Sequence, residues 1–258
     1  MSPIVVREPV SAATHALGLI AAFPVTWLLI RETIRQPRPE PPDPVFRSGK
    51  IAALGVFGFG MAACYGASTA YHAFPGDRET VALLRRLDMV GIFLLIAGTF
   101  TPAAWALMRP GPRRLSLSVV WGVSAVSALA VGLGKAFPTW LATTIYVSIG
   151  WGMLGCYLEV RRRCPRGLWL LPAGGALYTA GALVNLLRFP DLPLGIGPHE
   201  VFHLFVLAGT ATHIRFLWRA VVPAVRPSAS PGHPVPSSRP VVGAGATSSR
   251  RRGVEVGS

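Results

Sequence analysis

His199 and His203 stand four residues apart in the stretch His199-Glu200-Val201-Phe202-His203. On a helix that spacing puts two imidazoles about 40° apart around the axis and about 6 Å apart along it, on one face. Two imidazoles so placed can share one metal ion. The bland alternative is a pair of interfacial histidines hydrogen-bonded to their neighbours. The stretch also reads H-E-x-x-H, where the glutamate of zinc proteases is the general base. Glu200 is turned about 100° from His199, so that role depends on side-chain reach. His15, His72, Asp88 and His213 are the other ionisable groups in apolar surroundings. Such groups are costly in hydrocarbon and usually functional. His213 lies about 15 Å along the helix from His203, too far to share its ion, and is expected to make an interhelical hydrogen bond. His233 falls in a polar tail and is given no role.

Long apolar runs must position these groups. The 258 residues are 51% hydrophobic and 14% charged, with mean hydropathy +0.47; soluble domains carry about a quarter charged residues. Apolar windows run over 11–30, 51–71, 88–108, 115–133, 140–158, 168–187 and 199–218. Each is long enough to span hydrocarbon as a helix, and a lone apolar segment in lipid must satisfy its own backbone. The expected fold is an all-α membrane protein, a seven-transmembrane helix bundle in the cell membrane. The first run lacks a basic leader and is too long for a cleaved signal, so it reads as a retained span. Gly55, Gly58 and Gly60, then Gly150, Gly152 and Gly155, then Gly174, Gly175 and Gly181 offer small faces for close helix approach. Pro24 and Pro102 should kink their spans, with Thr99 and Thr101 taking up the backbone freed at Pro102. The connection 31–50 reads as proline-rich and solvated. Residues 1–222 form the membrane domain, and 223–258 read as a disordered Pro, Gly, Ser and Arg tail.

With seven spans, the end of the second and the starts of the third and seventh lie on one membrane face. His72 ends the second, Asp88 starts the third, and His199 and His203 start the seventh. Three nitrogens and a carboxylate from three helices make a zinc constellation with room for a water. Ser68, four before His72, shares its face and could contact substrate or support the site. His15 starts the first span on that face; it could support the site or simply be a buried polar group. Arg85 and Arg86 read as interfacial anchors.

The formal charge of +14 does not indicate nucleic acid, because the basic residues flank apolar runs and no aromatic stripe is interleaved with them. Cys64, Cys156 and Cys164 have neither the number nor the spacing of a disulfide framework or a cysteine zinc cage.

Three stretches resemble the hemolysin III family, which belongs with the progestin and adipoQ receptors and, more distantly, the alkaline ceramidases. They are Ser68-Thr69-Ala70-Tyr71-His72; Leu84-Arg85-Arg86-Leu87-Asp88 running into Ile96-Ala97-Gly98-Thr99-Phe100-Thr101-Pro102; and His199-x-x-x-His203 with Leu204-Phe205-Val206. Glu8 and Thr14-His15 also fit. The resemblance implies Zn2+ held by His72, His199 and His203, with Asp88 orienting the zinc water and Ser68 lining the site. Glu200 is not required by the family pattern, so the protease reading falls. Met89 replaces a common His and Ser11 a common Asn, and neither change removes a ligand.

Of the 25 Lys and Arg residues, 19 fall on the face opposite the metal, which the positive-inside rule would make cytoplasmic. The resemblance implies the reverse, with the zinc face inside, and that orientation is preferred because homologous bundles rarely invert. Membrane lipids are then both environment and candidate substrate. The leading expectation is a zinc-dependent lipid amide hydrolase, with Asp88 as general base or water-orienting group. The alternatives are a non-enzymatic membrane-homeostasis sensor with structural zinc and a cytolytic protein.

Overall fold

The computed structural model describes residues 6–38, 40–135, 137–161, 167–190, 192 and 196–226. They form α1 (Pro9–Arg35), α2 (Pro44–Ala73), α3 (Arg78–Leu107), α4 (Pro110–Gly132), α5 (Thr139–Trp151), α6 (Met153–Val160), α7 (Leu170–Leu187) and α8 (Pro198–Phe216). The last continues into a π-helical turn, Leu217–Val221. Among the described residues seven helical spans are long and apolar enough to cross a membrane, counting Thr139–Val160 and Pro198–Val221 as single spans. The all-α, seven-span bundle is the expected fold. The chain divides into two units, Met1–Pro227 and Ser228–Ser258. The second, most of the expected disordered tail and Cys164 lie outside the described residues. Cys64 and Cys156 are buried.

The fifth span is not one helix. It breaks at Gly152, whose N–H reaches the carbonyls of Ser148 and Ile149 at 3.2 and 3.0 Å. Gly150 and Gly155 face open space, so these two weaken the helix there without helping it pack.

The hydrophobic windows understate helix length because polar turns extend the helices beyond hydrocarbon. Helix α1 runs to Arg35 and α2 starts at Pro44, so the solvated connection is shorter than 31–50. Asp43 caps α2 by accepting from the Phe46 N–H at 2.9 Å, with Pro44 in the first turn. That bond holds the Asp43 carboxyl below its ordinary pKa. Lys50, expected at the edge of the connection, is buried. Its ammonium donates to the carbonyls of Val222 at 2.8 Å and Ala224 at 2.9 Å. It thus closes the C-terminal end of the last span, where a cation is favoured.

Helix α3 starts at Arg78, capped by Asp77 accepting from the Thr80 N–H at 2.7 Å. Asp88 is therefore ten residues inside α3 and not at its start, a correction that moves it about 15 Å along the helix. Glycines fix the depth it reaches. A Cβ on Gly91 would sit 2.7 Å from Cys64 Cα, one on Gly60 2.6 Å from Leu94 O, and one on Gly98 3.1 Å from Val56 O. These contacts step evenly along two antiparallel helices and put Asp88 level with Ser68, about a turn deeper than His72. Gly58, Gly174 and Gly181 also make close contacts, with Thr26, His213 and Phe205, whereas Gly55 meets nothing within 4 Å. Gly60→Val should destabilise the bundle by about 1–3 kcal/mol, because backbone cannot move aside. Gly55→Ala should leave stability unchanged or slightly raised, and denaturant unfolding in micelles measures both.

Pro24 and Pro102 lie inside continuous helices. The carbonyl freed by Pro102 is that of Gly98, and neither threonine takes it. Thr99 donates to Leu95 O and Thr101 to Ala97 O, each at 2.7 Å. Thr101 also accepts from Trp121 Nε1 at 3.0 Å, tying α3 to α4.

Candidate metal centre

The last turn of α2 and the first turns of α8 bring His72, His199 and His203 together, with one ring nitrogen from each within 4.8 Å of the others. His72 and His203 are buried and His199 half-buried. These three histidines could hold a metal ion.

Their hydrogen bonds decide which nitrogen faces inward. His72 Nδ1 lies 2.5 Å from Glu8 Oε2. A carboxylate oxygen accepts, so Nδ1 carries the proton and Nε2 the lone pair. His199 Nδ1 lies 3.2 Å from Asn185 Oδ1, again an acceptor. Thr14 already spends its hydroxyl hydrogen on Ser11 O at 2.9 Å, so its oxygen accepts from His203 Nδ1 at 3.4 Å. Each ring is therefore left with an Nε2 lone pair. The Nε2 atoms of His72 and His199 face one another at 3.3 Å, a repulsive pairing unless a cation sits between them. Tetrahedral zinc with bonds of about 2.0–2.1 Å separates its ligand nitrogens by roughly 3.3–3.4 Å. The donor set and spacing fit that ion.

Asp88 lies outside the three-histidine cluster. It is half-buried and interacts with Ser68, His72 and Arg85. Ser68 is 1% exposed, and its hydroxyl lies beside the Asp88 carboxyl. Both line a cavity of about 720 Å³ that the three histidines also line and that runs between α2, α3, α5, α7 and α8 as far as His213. His213 makes the expected interhelical bond, from Nε2 to Leu171 O at 3.2 Å.

His15 does not approach as a ligand. Its ring stacks on His203 at 3.7 Å with an interplanar angle of 8°, and both its nitrogens are buried without a partner among the described residues. Glu200 has a structural role instead of none. One oxygen accepts from Ser11 Oγ at 2.8 Å and the other from the Gly197 N–H at 2.9 Å, closing the start of α8 against α1. Ser11, one of the two departures from the pattern, is thus occupied. Met89, the other, lends its carbonyl to Tyr146 OH at 3.5 Å. Arg85 and Arg86 are exposed, and Arg85 also lines the cavity.

Asn185 went unnoticed in the sequence although a signal was present. It is the only asparagine of the chain, set in the apolar run of α7. A polar side chain there needs a partner in a neighbouring helix.

The haemolysin-III-related family model matches residues 4–214. The chain is 29% identical over 219 residues to "Hemolysin-3" of Bacillus cereus, covering 82% of this chain and 90% of that protein. It is 26% identical over 212 residues to the "Hemolysin-3 homolog" of Bacillus subtilis (strain 168), covering 80% and 90%. It is 27% identical over 221 residues to the adiponectin receptor protein of Drosophila melanogaster, covering 78% of this chain and 47% of that one.

Proposed function

The chain belongs to the haemolysin-III-related family as a multi-pass protein of the cell membrane, and from that premise we propose that it is a zinc-dependent hydrolase of a membrane lipid, with an amide as the bond cut. The observation that carries this reading is the facing pair of Nε2 lone pairs on the wall of a largely apolar cavity.

His72, His199 and His203 would hold the ion. Zinc supplies a Lewis acid for a carbonyl and lowers the pKa of a water to about 7. Three protein ligands leave a position open, as catalytic zinc sites require. Asp88 stands beside the cluster and not in it, where a carboxylate can orient a water or accept its proton. The buried Ser68 hydroxyl, beside the Asp88 carboxyl, would line the site next to the group that acts on the water. The cavity continues between the helices past Met89, Ile92 and Val147, surroundings suited to an acyl chain. Lipid would reach this site without leaving the bilayer.

The test uses purified protein in nanodiscs. About one zinc per chain is expected, together with release of fatty acid from a long-chain N-acyl sphingoid lipid. A strong chelator should stop release, and added zinc should restore it. Zinc without release from amide or ester lipids would overturn the hydrolase reading and leave the ion as a tie between the second and seventh spans. Absence of zinc would overturn the metal reading itself.

A further inference from the structure

A short segment ahead of the first span is bound to the end of α2. Arg7 N–H donates to Ala73 O at 3.4 Å and Glu8 N–H to His72 O at 2.9 Å. The side chains continue the attachment. Arg7 Nε pairs with Glu8 Oε1 at 3.1 Å, and its guanidinium lies 4.2 Å from the centre of the Tyr71 ring. Glu8 Oε2 then meets His72 Nδ1. Glu8 occupies the N-cap of α1 but makes no capping bond with its side chain. Its carboxylate is therefore not needed to start the helix.

Among the three Nδ1 partners Glu8 is the charged one; Asn185 and Thr14 are neutral. A carboxylate on the far nitrogen of an imidazole fixes the tautomer, orients the ring and makes the near nitrogen a stronger donor. Arg7 Nε forms an ion pair with the other oxygen of the same carboxylate.

We propose that Arg7 and Glu8 form a positioning element for the metal centre, in which the Glu8 carboxylate holds the His72 proton on Nδ1 and so presents Nε2 to the ion. This rests on the metal reading above and adds a residue that does not touch the ion. The first span then does more than fill the bundle: its N-terminal segment sets how tightly the site holds its metal.

The experiment measures zinc affinity of the full-length protein in micelles by competition with a chromophoric chelator, alongside thermal unfolding of the metal-free form. Glu8→Ala should weaken zinc binding by about 10–100-fold. Metal-free unfolding should stay put, because the backbone bonds of residues 7 and 8 survive the substitution. Glu8→Asp should recover most of the affinity, and Glu8→Gln, which keeps an acceptor and loses the charge, should fall between. Unchanged affinity in Glu8→Ala would overturn the proposal. So would a weakening matched by an equal loss of metal-free stability, since that marks a role in packing alone. Failure of the metal reading is separately visible, because the unsubstituted protein would then bind no zinc.

Discussion

His203→Ala empties the metal site: zinc should fall from about one ion per chain to below about a tenth of that after dialysis. Removing a residue that merely supports a ligand costs 10–100-fold in affinity, and removing one of three ligands must cost more. His203 contributes a buried ring whose Nδ1 is held by Thr14 and whose face is covered by His15. Its loss therefore also leaves a void, and folding must be followed beside metal content. His72→Ala and His199→Ala should behave alike. His213→Ala is the control. It removes an equally buried imidazole of the same span, about 15 Å further along the helix, and should keep the full complement of zinc. Full zinc in all three variants of the cluster would dismiss the site. Equal loss in His213→Ala would mean that metal retention reports only on folding.

Much of this centre was legible in the sequence, and the reason is geometric. Spans of nearly fixed length alternate direction, so counting them assigns each end to a face. His72, His199 and His203 could be brought together on that count alone. What a hydropathy window cannot register is helix that continues outside hydrocarbon. Helix α3 begins at Asp77 and Arg78, polar residues that cap and extend it. Reading its start from the apolar run placed Asp88 about three turns too near the end. The structure still brings Asp88 beside the histidines because the glycine contacts between α2 and α3 set a register that puts it level with Ser68, one turn from His72.

The supporting shell was less legible, because it depends on which helices neighbour one another. Glu8 fitted the family pattern but had no assigned contact; its bond to His72 joins residues 64 apart in the chain. Asn185 and His199 meet across α7 and α8, and no periodicity within either helix requires it. Lys50 read only as the edge of a solvated connection; its partners, the carbonyls of Val222 and Ala224 just past the final span, are distant in the chain. Glu200 illustrates the opposite error. The H-E-x-x-H pattern suggests a general base, yet a glutamate in the first turn of a helix can fold back on its own N-terminus, and Ser11 takes its other oxygen.

Asp88→Asn should keep zinc at about one ion per chain and lower lipid hydrolysis by about 10²–10⁴-fold. The substitution preserves shape and one acceptor oxygen while removing the ability to take a proton. Asp88 is absent from the three-histidine cluster, so the ion should not leave with the charge. It stands level with Ser68 and lines the same cavity, the position from which a carboxylate can act on a water beside the ligands. Ser68→Ala removes a hydroxyl beside the Asp88 carboxyl without removing a proton acceptor, so it should cost less than Asp88→Asn. The two variants also separate the roles. A group that stabilises only the reacting state lowers kcat and kcat/KM together, whereas uniform binding shows in KM. Loss of zinc in Asp88→Asn would make the carboxylate a ligand and require a different site. Retained zinc with undiminished turnover would remove Asp88 from the mechanism, and proton transfer would have to pass to another group lining the cavity.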